Sequence, residues 1–213
     1  MGIHIILVRH GQTGWNVQSR FRGTADIALN EAGVAQAEAV ARRLQGESIA
    51  AIYTSPLQRA RHTADIVAGP HGLPVREVPA FRSVDYGQWE GQLEEDVAQQ
   101  YPHLYRLYRN RPDQVQFPGG ESLGLLRDRA MRALMDLLPR HVDQRIAVVT
   151  HQVVTRTILC AVLGLSDAHY WHLAQDNACI NRFSYDADGF CLQLLNDTCH
   201  LEDLPLPEEK GAA

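Results

Sequence analysis

The chain has 213 residues, 45% hydrophobic and 21% charged, which are the proportions of an ordinary soluble globular protein rather than a fibrous or disordered one. Its formal charge of −5 argues against general affinity for nucleic acid or an anionic membrane, since both need a basic face. No apolar run approaches the ~20 residues of a membrane helix.

The first element is Ile3-His4-Ile5-Ile6-Leu7-Val8, an apolar run that reads as a short buried strand. It delivers Arg9 and His10 to the carboxyl end of a sheet, where open α/β folds bind ligands, and Gly11 lets the backbone turn. A guanidinium beside an imidazole favours the neutral, nucleophilic ring. Taken alone, the tripeptide reads equally well as a strand-end histidine capped by a surface arginine.

Asn30 caps a predicted helix through Gln45, with Ala35, Ala39, Val40, Ala41 and Leu44 on its apolar side and Gly46 as its stop. Residues 49–54 read as a second buried strand. Pro56 is expected in the first turn of a helix that carries Arg59 and runs to about Val67. After a loop marked by Pro70, Gly72 and Pro74, residues 75–78 form a short strand. Residues 92–117 are an insertion, helical over 93–105 and then a polar, arginine-rich link; Tyr101, His103, Tyr105 and Tyr108 line a pocket from it or, the favoured reading, pack it.

Ser122 caps a helix to Leu138, and residues 146–150 are another interior strand, ending at His151. A helix over 153–163 follows, then a short helix near 167–173 and a hairpin of residues 180–185 and 190–195. The stretch from Asp203, with its prolines and glutamates, reads as a mobile tail. His4, His71, His141, His169 and His172 read as surface or interface side chains, and His62 is undecided.

Strands alternating with helices predict one domain over residues 1–202, a three-layer α/β/α sandwich around a mainly parallel central sheet. Cys160, Cys179, Cys191 and Cys199 form no C-x-x-C pair, and the opening residues show no basic, apolar leader pattern. Free thiols in a cytoplasmic protein are therefore expected. The sheet brings Arg9, His10, Arg59 and His151 to one edge. Guanidinium forks match phosphate oxygens, and phosphoryl transfer needs positioning and charge stabilisation above all.

Leu7-Val8-Arg9-His10-Gly11-Gln12-Thr13 with Asn16, Ser55-Pro56-Leu57-Gln58-Arg59-Ala60 with Thr63-Ala64, and Gly87-Gln88-Trp89-Glu90-Gly91 form an ordered series. Pro118-Gly119-Gly120-Glu121-Ser122 and Val148-Val149-Thr150-His151 complete it. The series resembles the phosphoglycerate-mutase-like histidine phosphatase superfamily. The resemblance implies the same sandwich with an antiparallel element, attack of His10 on phosphorus, and hydrolysis of the resulting phosphohistidine. Arg9, Arg59 and His151 would clamp the phosphoryl oxygens. Asn16 would add a donor, with Gln12, Thr13, Arg20, Arg22 and Glu121 around the substrate.

No metal or other cofactor is implied. The expected partner is a small phosphomonoester, such as a sugar phosphate, glucosyl-phosphoglycerate or α-ribazole phosphate, with no nucleic acid or membrane; a homodimer is compatible with the sequence. The alternatives are a phosphoglycerate mutase and a phospho-ligand-binding pseudo-enzyme. Against the mutase, the 92–117 segment is short and has no lysine.

One departure matters. The resemblance places a general acid where this chain has Ser83, and a hydroxyl is a poor proton donor near neutrality. Three explanations stand open. Asp85 takes the role, although two residues of extended chain displace it by about 6–7 Å. Glu121 approaches from the Gly-Gly loop. Or the acid is absent.

Overall fold

Apolar residues on both sides of a strand require a sheet covered on two faces, and the computed structural model, which describes residues 2–204, has that form. Along β1 (Ile3–Arg9), Ile3, Ile5 and Leu7 enter one buried cluster while Ile6 and Val8 enter another. The remaining strands are β2 (Ala51–Thr54), β3 (Val75–Glu77), β4 (Arg145–Thr150), β5 (Ile180–Asp186) and β6 (Gly189–Asp197). They form a six-stranded sheet in the order β3-β2-β4-β1-β5-β6. β1, β2, β3 and β4 pair in parallel, and β5 and β6 are the antiparallel hairpin.

The helices are α1 (Gly14–Val17), α2 (Glu31–Leu44), α3 (Gln58–Ala68), α4 (Glu94–Gln100), α5 (Pro102–Asn110), α6 (Leu123–Leu137) and α7 (Gln152–Val162). Val40 and Leu44 of α2 and Ala60, Ala64 and Val67 of α3 cover one face of the sheet. Leu126 and Leu134 of α6 and Val154 and Ile158 of α7 cover the other. Caps follow the sequence: Asn30 Oδ1 accepts from the Gly33 N–H, and the Ser122 hydroxyl accepts from Leu125. Among the described residues no helix is long and apolar enough to cross a membrane.

Several expectations need correction. The helix expected over 93–105 is two helices, because Pro102 opens α5 and turns Tyr101 out of helical geometry (φ −126°, ψ 55°). Part of the expected polar link is α5. Pro56 lies ahead of α3, whose cap is Leu57. The short helix near 167–173 is a 3₁₀ segment, Asp167–His172.

His141 is buried, its Nε2 2.8 Å from the Tyr53 hydroxyl and its Nδ1 2.7 Å from Gln144 Oε1. His62 is exposed. Tyr101, Tyr105 and Tyr108 pack around the buried Trp89. All four cysteines are free, Cys160 and Cys179 being buried and Cys191 and Cys199 exposed. The tail expected from Asp203 lies, from residue 205 onward, outside the described residues.

Candidate active site

Register explains how residues distant in sequence meet. β1 and β4 are neighbours with Arg9 opposite Thr150, so each strand's next residue, His10 and His151, leaves the same edge of the sheet. The His10 N–H donates to the Thr150 carbonyl at 2.9 Å, and the two rings stand edge to face with centroids 5.2 Å apart. β2 flanks β4 on the other side, which brings Ser55 to His151 and the first turn of α3, with Arg59, over the strand ends.

The backbone fixes the tautomer of His10. Its Nδ1 lies 2.6 Å from the Gly11 carbonyl oxygen. A carbonyl only accepts, so Nδ1 carries the proton and Nε2 keeps its lone pair. His151 Nε2 lies 2.7 Å from Ser55 Oγ, while its Nδ1 is buried with no partner among the described residues. Both rings are held well below the ordinary imidazole range, first by burial and then by the Arg59 guanidinium.

Two guanidinium groups are anchored, three of their four hydrogen bonds going to backbone oxygens. Arg59 donates from Nη1 to Ala25 O at 2.7 Å and from Nη2 to Gly23 O at 2.8 Å. Arg9 donates to Gln175 O at 2.5 Å and to Asn177 Oδ1 at 3.2 Å. The Nε of each is buried without a partner among the described residues. Burial pushes Arg9 down to about 9 and Arg59 to about 10, with Arg22 adding like-charge repulsion to both.

A narrow inner cavity is lined by His10, Arg59, His151, Arg22, Ser83, Tyr86 and their neighbours. It adjoins an outer cavity of about 360 Å³ whose walls include Arg9, Gln12, Asn16, Arg20, Arg22 and Glu94. The structure thus gathers His10, His151, Arg59, Arg22 and Ser83 at the inner cavity, and places Arg9, Gln12, Asn16 and Arg20 along the outer one.

The other sequence candidates lie elsewhere. The Asp85 carboxylate accepts from the Gly87 N–H at 2.9 Å and lines neither cavity. Glu121 is paired with Arg129 and accepts from the Asp85 N–H. Thr13 caps α1, with Asn16 Oδ1 accepting from both its N–H and its hydroxyl.

Sequence reasoning missed Tyr86, Gln152, Trp171, Arg109, Glu94 and Asn177, which also line the cavities. For Gln152 the signal was its place directly after His151. Trp171 and Asn177 arrive from the 167–177 connection, for which spacing offered none. Ser55 stood in a recognised segment, but its contact with His151 depends on the β2–β4 pairing.

An α/β sandwich with two neutral imidazoles and anchored arginines at the carboxyl edge of its parallel strands defines an enzyme built to hold a phosphoryl group. The chain belongs to the histidine phosphatase superfamily (branch 1), whose model matches residues 5–198, and it is a phosphatase.

Among its relatives, phosphoserine phosphatase 1 of Hydrogenobacter thermophilus is 35% identical over 209 residues, covering 98% of this chain and 99% of that one. The solved structure of Bacillus stearothermophilus YhfR superposes with a TM-score of 0.90 at 30% identity, covering 94% of this chain and all of that one. The phosphoserine phosphatase of Entamoeba histolytica in complex with 3-phosphoglyceric acid gives a TM-score of 0.85 at 28% identity, covering 93% and 99%.

Proposed function

We propose that this phosphatase hydrolyses small phosphomonoesters, without a metal, through a phosphohistidine on His10. The observation that carries the reading is the Gly11 carbonyl, which holds the proton on Nδ1 and so leaves Nε2 as the nucleophile beside Arg59 and His151. In the first step the Nε2 lone pair attacks phosphorus and the bond to the ester oxygen breaks. Arg59, Arg22, Arg9 and His151 bind the phosphoryl oxygens through the attack, supplying the charge stabilisation that a loose phosphoryl transition state requires. In the second step water attacks phosphorus and the N–P bond pair returns to Nε2, releasing phosphate.

Arg20 and Arg109 on the outer cavity favour substrates with a second anionic group. Asn16 and Gln12 border the same space. The exposed free thiols of Cys191 and Cys199 support a reducing, cytoplasmic setting. Rapid acid-free quenching with a ³²P-labelled aryl phosphate tests the mechanism. The expected label is stable to alkali, labile to acid and absent from His10→Ala. Turnover by His10→Ala at the wild-type rate would exclude it.

A further inference from the structure

Hydrolysis of an unactivated ester leaves an alkoxide unless something protonates the departing oxygen. No carboxylate lines the inner cavity among the described residues. Its wall carries the buried Ser83 instead. The neighbouring carboxylates are engaged elsewhere: Glu90 with the Thr24 hydroxyl, Asp85 with the Gly87 N–H, and Glu121 with Arg129. Glu94, on the outer cavity, takes the Tyr105 hydroxyl at 2.5 Å and faces Arg109 at 3.5 Å.

The remaining donors are poor acids. Tyr86 lines the cavity, but burial pushes its phenol further above the ordinary range, and its oxygen lies 3.3 Å from the Tyr108 hydroxyl. His151 has its Nε2 engaged with the Ser55 hydroxyl at 2.7 Å, and burial and then Arg59 push the ring towards its neutral, weakly acidic form.

We infer that the site, taken as a phosphohistidine phosphatase, selects its substrates by leaving group: it accepts phosphates of acidic hydroxyls (aryl, enol and acyl phosphates) and turns over alkyl phosphates slowly. The balance of each half-reaction explains why only the first is restricted. When Nε2 bonds to phosphorus, the P–O pair departs on the ester oxygen. A phenolate, enolate or carboxylate carries that pair stably and takes its proton later from solvent. An alkoxide does not.

In the second half, the group that departs from phosphorus is the His10 ring itself. Its proton stays on Nδ1, held there by the hydrogen bond to the Gly11 carbonyl, so when the N–P pair returns to Nε2 the ring leaves as a neutral imidazole with no external acid. The attacking water needs little activation in a loose transition state and releases its proton to solvent. Dephosphorylation of the enzyme is therefore the same whatever ester formed it.

The test compares kcat/KM for phenyl phosphates of graded acidity, an enol phosphate and an acyl phosphate with that for alkyl esters of similar size, phosphoserine included. Loss of general acid help is worth about 10²–10⁴-fold, so wild-type protein should discriminate by that order against the alkyl esters. Ser83→Glu, which introduces an acid on the cavity wall, should raise alkyl turnover while the most acidic phenyl ester gains least. If the variant does not fold, the wild-type dependence on leaving-group acidity decides alone.

Equal rates for aryl and alkyl esters in wild-type protein would overturn the inference, because an acid would then be acting from elsewhere, while a labelled His10 left the phosphohistidine reading intact. No label on His10 from any aryl phosphate would instead overturn that underlying reading.

Discussion

His10 and His151 sit together under Arg59, each only 1–2% exposed, and both imidazoles are driven towards the neutral state by burial and then by that guanidinium. The consequence for stability has a definite sign. In the unfolded chain these rings bind protons below ~6.5, whereas the folded protein keeps them neutral well below that value. The stabilisation is complete above pH 6.5 and is lost as pH falls from there towards the folded values, by about 1 kcal/mol per histidine per unit. Urea midpoints should decline between pH 7.5 and 5.5, and the decline should be shallower in His10→Ala. Equal slopes in the two proteins would mean that His10 protonates freely in the folded state.

At this scale the sequence is a good guide where chemistry sits at a strand end. Arg9, His10 and His151 each continue an apolar run, and the sheet does the rest. It is a poor guide where a side chain closes a loop. Asp85 reads as a replacement acid, but its carboxylate satisfies the N–H two residues ahead at Gly87, a choice set by local turn geometry. His141 reads as a surface or interface side chain but is buried, with its Nε2 against the Tyr53 hydroxyl, a partner 88 residues away in the chain.

Among the elements, the loop after β1 is placed by its contact with α2. A Cβ on Gly11 would lie 2.3 Å from the Gly33 carbonyl oxygen, and one on Gly33 would lie 2.1 Å from the Gln12 carbonyl oxygen. Both opposing atoms are backbone, so neither can rotate away. Gly33→Ala must therefore push the His10-Gly11-Gln12 loop off the helix or spread the two elements. The expected cost is about 1–3 kcal/mol of stability, with kcat/KM falling further than stability because the loop carries the nucleophile. Gly46→Ala, where a Cβ would meet open space, is the control and should leave both quantities near wild type. Circular dichroism melts and steady-state kinetics on the pair would check this; a Gly33→Ala protein with wild-type kcat/KM would show that the contact does not position His10.

The helix α2 itself was legible from its cap and its small apolar side, and it begins and ends within a residue of expectation. The break between α4 and α5 was also written in the chain, at Pro102, but the apolar and aromatic spacing across it masked the interruption. Periodicity describes which face is buried, not whether the backbone is continuous.

For the whole molecule, the balance of charge is uneven. The chain carries a formal −5, yet the two cavities are walled by Arg9, Arg20, Arg22, Arg59 and Arg109, with Glu94 as the one carboxylate among the described lining residues. Low-dielectric walls focus such a field and draw anions inward. Burial first, and then repulsion from Arg22, lower Arg9 to about 9 and Arg59 to about 10. An entering phosphate relieves that repulsion, and so it binds the folded state far better than the unfolded one.

Inorganic phosphate at 100 times its dissociation constant should then add about 2.7 kcal/mol. For a chain of this size that corresponds to a rise of about 5–11 °C in Tm. The rise should shrink as sodium chloride is added, since the outer arginines are screened. It should also be largely lost in Arg59→Met, measured as the difference between phosphate-loaded and phosphate-free Tm of the same protein, so that any change in its bare stability cancels. An undiminished phosphate response in Arg59→Met would place the anion away from the inner cavity and remove the electrostatic basis of the site.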